Sequence, residues 1–170
     1  MRTFFILIFL NTTCFIFGQE KGYIITFSND TLFGLINNKN PLYLKFISNN
    51  GHKATYTAYD IRKYSLCRRI FESHFVDGDY KRYFAEIRLD SVFDLYYCRG
   101  GNLSPDFLNA YYYRDSQTDT LTLIHRARAD VERFLITKLN LNEIQAQDLK
   151  KEDFTYYDIE ILIERFRIKK

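Results

Sequence analysis

The chain has 170 residues, with 24 Lys and Arg against 21 Asp and Glu, for a formal net charge of +3. That length is one ordinary domain, able to bury a core without disulfide or metal staples, and the near-neutral balance excludes a nucleic-acid footprint. Aromatics are the unusual component: 14 Tyr and 16 Phe with no Trp, a composition suited to strands and half-buried faces.

The chain opens as an export signal. Arg2 precedes an unbroken apolar run from Phe4 to Leu10, and Cys14-Phe15-Ile16-Phe17-Gly18 ends on a small residue before Gln19. This pattern predicts a leader over 1–18, cleaved between Gly18 and Gln19. The mature chain, 19–170, is then exported to the periplasm or to the outer membrane. The run is shorter than the about 20 apolar residues a spanning helix needs, and Asn11-Thr12-Thr13 breaks it. No transmembrane span is expected in the mature chain. An uncleaved anchor is the alternative. Lipidation at Cys14 is disfavoured by Asn11 and by the apolar residues that continue past the cysteine.

Strands follow at short, regular spacing. Residues 22–27 (GYIITF) and 31–36 (TLFGLI) flank Asn29-Asp30, a two-residue hairpin signal. In that register Tyr23 faces Ile36, Phe27 faces Leu32 and Gly34 lies opposite Ile25. Tyr23, Ile25, Phe27, Leu32 and Ile36 are then the core face. After a polar link, 42–47 is a third strand, Ser48-Asn49-Asn50-Gly51 a turn, and 55–57 a returning strand. Tyr59-Asp60-Ile61 makes a bend. Residues 63–66, 70–76, 83–89 and 91–97 are further strands, with Asp77-Gly78-Asp79 closing a hairpin. The longest loop covers 99–105. A last hairpin joins 110–114 to 121–125 around Ser116–Asp119.

The rhythm changes after Arg126. Val131, Phe134, Leu135 and Leu139 fall at helical spacing, and Asn142 starts a second helix running through Leu149. Thr155 with Asp158 forms a capping box, and Tyr156, Ile159, Ile163 and Phe166 line one face of a third helix. Asp158, Glu160 and Glu164 read as its solvated acidic face. The expected fold is α+β: an antiparallel β-rich sheet, sandwich or partly open barrel of about 8–10 strands, followed by two to three C-terminal helices. A single domain spans 19–170, with 19–126 the β-rich part and 127–170 the helical part.

Chemistry is sparse. His52 lies in a turn, and His74 and His125 lie in strands, none within a catalytic motif. Glu72 and His74 share a strand face, which two ligands alone do not make a metal site. An exposed polar face is the plainer reading. No cofactor is expected. Once the leader is gone, Cys67 and Cys98 are the remaining cysteines, and an oxidising compartment permits a disulfide between them. Two small buried thiols are the alternative. Tyr96-Tyr97 and Tyr111-Tyr112-Tyr113 place rings on both faces of neighbouring strands. One set must face the core; the other is either a binding surface or cross-strand packing.

The first hairpin, Gly22-Tyr23-Ile24-Ile25-Thr26 through Asp30-Thr31-Leu32-Phe33-Gly34-Leu35-Ile36, resembles the start of a family of uncharacterised exported proteins of Bacteroidota-type bacteria. In that family a signal peptide precedes G-Y-I-x-T-x-x-G-D-T-x-x-G-x-I. Residues 56–61, 110–115 and 154–159 are similar to it too, so the resemblance covers most of the mature chain. Asn29 stands where the family has Gly. Some relatives continue into an outer-membrane β-barrel, which is not expected of a chain ending at Lys170. The resemblance implies an envelope location and carries over no activity and no catalytic residue. Asp30-Thr31-Leu32, Asp90-Ser91-Val92 and Asp119-Thr120-Leu121 also resemble the acceptor motif for periplasmic O-glycosylation in the same bacteria, with Thr31, Ser91 and Thr120 as acceptors; a turn entering a strand is the plainer reading of each.

The expected function is a non-enzymatic cell-envelope module that binds a partner protein or cell-surface component, with no nucleic-acid partner. The alternative is an envelope hydrolase with an unfamiliar Asp/Glu/His site. A pocket of convergent carboxylates and His favours the hydrolase, and a flat Tyr-lined surface favours the binder.

Overall fold

Two glycines set the pairing of the first hairpin. Strands β1 (Glu20–Thr26) and β2 (Thr31–Asn37) run antiparallel with Gly22 opposite Gly34, Tyr23 opposite Phe33 and Ile24 opposite Leu32. A Cβ on Gly22 would run into the Ser65 carbonyl of the neighbouring strand, and one on Gly34 into the Ile47 carbonyl. This register is three residues away from the one expected, and an odd shift turns one strand over relative to its partner: Ile36 of β2 stays inward as expected, and β1 is the strand turned over. Ile24 and Ile36 are therefore fully buried, while Phe27 and Phe33 are exposed. The turn explains the shift. In place of a two-residue turn, Thr26 N–H donates to the Asp30 carbonyl at 3.0 Å across three intervening residues, 27–29, with Asn29 at φ 68° and the Ser28 hydroxyl donating to Asp30 at 2.7 Å.

The computed structural model describes residues 20–37, 40–90, 93–99, 109–114 and 118–168. The leader over 1–18, Ser91, most of the 99–105 loop and Ser116 lie outside them. The further strands are β3 (Tyr43–Ser48), β4 (Lys53–Thr57), β5 (Ile61–Leu66), β6 (Arg69–Val76), β7 (Arg82–Asp90), β8 (Asp94–Cys98), β9 (Ala110–Arg114) and β10 (Thr120–Leu123). They form one sheet in the order β10-β9-β8-β7-β6-β5-β1-β2-β3-β4, and β10 pairs a second time, with β6. That seam is parallel and short: Thr120 opposite Phe75 and Leu121 opposite Val76. It closes β6 to β10 into a partly closed five-stranded barrel, while β5-β1-β2-β3-β4 continue outward as an antiparallel sheet. The fold is α+β, as expected.

Strand alternation sorts the side chains. Val76, Tyr83, Ala85, Tyr96, Tyr112 and Leu121 form one buried cluster, the inside of the barrel. The outer wall of β6 and β7 contributes Phe71 and Phe84 to a second cluster with Ile24, Ile36, Leu44 and Phe46, so the extended sheet curls back over that wall. Phe84 N–H donates to the Pro41 carbonyl at 2.8 Å where they meet.

Helices cover the other flank of the barrel. Helix α1 (Arg128–Lys138) is followed by α2 (Glu143–Lys151), a 3-10 turn (Tyr156–Asp158) and α3 (Ile159–Ile168). Asn142 and Gln145 cap the start of α2 reciprocally, and the Thr155–Asp158 capping box forms as expected. Tyr156, Ile159, Ile163 and Phe166 are all buried, in one cluster with Leu135 and the barrel residue Leu95. Glu160 is not the solvated position expected of it. It accepts from Arg88 Nε at 2.8 Å and from the Tyr111 hydroxyl at 2.6 Å, tying α3 to the barrel wall. No described helix is long and apolar enough to cross a membrane.

Candidate functional site

The alternation that fills the barrel also places polar groups at one of its mouths. On β6, Glu72 and His74 point inward on the same face as Val76, and on β8 Tyr96 does the same. Asp94 and Arg114 pair directly across β8 and β9. The parallel seam then brings Asp119, 45 residues away in sequence, beside His74.

The bonds between these groups are short and specific. His74 Nδ1 lies 2.7 Å from Asp119 Oδ1, and its Nε2 lies 3.2 Å from Glu72 Oε2. The ring is 3% exposed and meets Tyr96 edge-on at 4.9 Å between centroids. Glu72 also accepts from Lys63 Nζ at 2.7 Å and from the Tyr96 hydroxyl at 2.8 Å. Burial pushes the Glu72 carboxyl up. The hydrogen bonds from His74, Lys63 and Tyr96 outweigh that push and hold it well below the usual carboxylate range. For the Tyr96 hydroxyl, burial and the adjacent Glu72 carboxylate act together and raise it.

Arg82 completes the ring from β7. Its Nη2 lies 2.7 Å from Asp119 Oδ2, and its Nε donates to the Ser73 hydroxyl at 3.0 Å. The guanidinium sits over Phe75 at 4.5 Å and Phe27 at 5.1 Å. Arg114 is ion-paired to Asp94.

These groups line a cavity of about 420 Å³. Its wall carries four cations, Arg62, Lys63, Arg82 and Arg114, two carboxylates, Glu72 and Asp119, and the half-exposed ring of Phe27. Counting Asp94, the partner of Arg114, four cations face three carboxylates. Arg62 is the cation in surplus, exposed and without an ion pair among the described residues.

A covalent hydrolytic site of the Ser–His kind needs a nucleophile bonded to its base. Here Nδ1 of His74 has an orienting carboxylate, but Nε2 meets Glu72 and not a hydroxyl. The Tyr96 hydroxyl beside the ring donates to the same Glu72 oxygen, and the hydroxyl of the adjacent Ser73 donates to the Ala58 carbonyl. Glu72 and His74 do share a face, but it is the barrel interior and not the exposed strand face expected. No group of three or more His, Cys, Asp or Glu among the described residues is placed to hold a metal.

The tyrosines expected as a binding surface are covered. Tyr96 and Tyr112 fill the barrel, at 1% and 0% exposed. Tyr97, Tyr111 and Tyr113 lie on the wall beneath the helices, where Tyr97 meets Tyr111 at 5.1 Å and Tyr113 meets Phe134 at 5.2 Å. The helical part has claimed the face that the strands alone would leave open.

Cys67 and Cys98 are both free, one exposed and one buried. Cys67 lies in the β5–β6 turn beyond Arg69, whereas Tyr97 and Phe71 flank Glu86 in one row. Cys98, in the next row with Glu72, is thus two strands across, roughly 10 Å, and about five residues along, roughly 16 Å, beyond the reach of a disulfide. Burial pushes the Cys98 thiol up to about 12. Thr31 is exposed at the start of β2, and Thr120 lies half-buried in the barrel seam.

Asp119, Arg82, Lys63 and Arg114 were not legible as site residues in the sequence. Only the alternation of Glu72 and His74 signalled the site, because the others arrive through long-range pairing. No protein-family model, curated protein or solved structure matches this chain.

Proposed function

We propose that this chain is an exported, non-enzymatic envelope module, and that its barrel mouth binds a small organic anion. The observation that carries the reading is the charge balance of the cavity. Each carboxylate is already paired with a cation, both nitrogens of His74 are occupied, and Arg62 remains without an ion pair among the described residues, on a wall that also carries the half-exposed Phe27 ring. Such a wall supplies donors and an apolar surface for a ligand and no free base or nucleophile. Lys63 spends one of its three donors on Glu72, and the Arg114 bonds run through Nε and Nη2, so both keep donors in reserve.

Calorimetric titration of the protein with benzoate, phenyl phosphate, benzyl alcohol and benzylamine tests the reading. The anions are expected to bind and the neutral and cationic probes not to bind. Arg62→Gln, an exposed and structurally inexpensive change, should weaken anion binding at least fivefold. Equal binding of benzyl alcohol would sink the anion reading. Turnover of ester or phosphoester substrates that disappears in His74→Gln would establish the hydrolase instead.

Export has its own test. Protein isolated from the envelope fraction should begin at Gln19 by intact mass. An N-terminus at Met1, or a purely cytoplasmic location, overturns that half of the proposal.

A further inference from the structure

The extended half of the sheet has one face with no described helix over it, and that face ends at a free edge. Row by row, the registers set Lys21 opposite Leu35, Leu35 opposite Ile47 and Ile47 opposite Lys53. The next row joins Asn37, Lys45 and Thr55. Leu35, Ile47 and the 60% exposed Phe33 make an apolar centre. Lys21, Lys45 and Lys53 surround it, all exposed, and none has an ion pair among the described residues. No acidic side chain of β1 to β4 shares this face: Glu20, the acidic residue of those strands, alternates onto the other. A groove of about 390 Å³ runs between Leu35, Ile47, Lys45, Lys53 and Thr55.

Strand β4 is the terminal strand of the sheet. Ser48 N–H bonds the His52 carbonyl, and Ala58 N–H bonds the Leu42 carbonyl. Hydrogen-bonded pairs alternate along an antiparallel ladder, so Ala54 and Tyr56 direct their backbone groups toward β3. Lys53 and Thr55 direct theirs outward, on the strand whose Lys53 and Thr55 side chains also line the groove.

We infer that this edge takes an extended acidic segment of a partner protein as an added strand. Backbone groups of Lys53 and Thr55 supply the ladder. Acidic side chains at alternate positions of the partner fall on the lysine face, beside Lys53 and within reach of Lys45. Apolar positions between lysines suit a segment that carries aliphatic residues too. A second copy of the chain would bring more lysine to a face that lacks acid. A bilayer would leave the edge N–H and C=O groups without partners. Lysine at an edge deters pairing with uncharged strands, which leaves acidic ones. The site is separate from the barrel mouth and does not rest on its ligand.

The test uses a ten-residue peptide of alternating Glu and Val, with a Lys and Val peptide and phosphatidylglycerol vesicles as comparisons. The Glu and Val peptide is expected to bind in a salt-sensitive way and to slow amide exchange at Lys53 and Thr55 at least tenfold. Lys45→Glu with Lys53→Glu should weaken binding at least tenfold without lowering Tm, and Arg62→Gln should leave it unchanged. Backbone N-methylation of the peptide along one edge should abolish it. The inference is overturned by equal binding of the Lys and Val peptide, by binding without protection at Lys53 and Thr55, or by no binding at millimolar peptide. Protection of the same amides by vesicles, or by self-association in the absence of peptide, overturns it as well.

Discussion

Replacing Ile163 with Ala is expected to destabilise the protein by about 2–5 kcal/mol. Ile163 is 1% exposed and lies in the same cluster as Leu95, Leu135 and Tyr111. It therefore fills space between α3, α1 and the barrel wall. A helix as short as α3, ten residues, is marginal alone in water, so packing on the barrel is what holds it. Two neighbours on the same helix frame the expectation. Ile161 is 56% exposed, and Ile161→Ala should stay within about 0.5 kcal/mol. Glu160→Ala removes charged hydrogen bonds to Arg88 and Tyr111 and should cost about 1–3 kcal/mol. Urea unfolding of the three variants reads all of this. An Ile163→Ala midpoint equal to that of the parent would mean the stripe does not hold the helix to the barrel.

The ease with which that stripe could be read shows where sequence is informative. Tyr156, Ile159, Ile163 and Phe166 obey a local period, and Thr155 with Asp158 is a local cap; both depend only on neighbours within one or two turns. The first hairpin is local as well, yet the face of β1 is the opposite of the one expected. Period two is unforgiving: three residues enclosed by the turn in place of two move Phe27 from core to solvent and bring Ile24 inward. Gly22 and Gly34 carried the correcting signal, since a strand glycine marks a close backbone approach, and here a Cβ at either would run into a neighbouring strand's carbonyl. The site was harder. Glu72 and His74 alternate visibly, but Asp119 reaches them through a two-pair parallel seam that no local pattern announces. Tyrosine clustering left both a binding surface and cross-strand packing open for the complementary reason. Strand alternation shows that two faces exist, and only the tertiary docking of α1 and α3 decides that both are covered.

Glu72 should dominate the acid sensitivity of the barrel mouth. Glu72→Gln is expected to cost about 3 kcal/mol at pH 7, the lower end of what a broken buried pair costs, because Lys63 keeps partial access to water. The change leaves the Lys63 ammonium without its carboxylate and removes an ionised acceptor from His74 and Tyr96. The sign of the pH dependence follows from linkage. Burial pushes the folded-state carboxyl up, but the bonds from His74, Lys63 and Tyr96 hold it well below the unfolded value of about 4.3. Its stabilisation is therefore fully present above that unfolded value and is lost as pH falls toward the folded one. Glu86 follows the same rule: burial raises it, and Arg69 and Arg88 lower it further. The parent should lose stability steeply below about pH 4. Glu72→Gln should lose less, so that the gap between the two narrows between pH 5 and pH 3 while the Glu86 contribution remains in both. Urea midpoints at pH 7, 5, 4 and 3 measure this directly. A gap that stays constant across that range would show that an ionised Glu72 is not what binds Lys63, His74 and Tyr96 together.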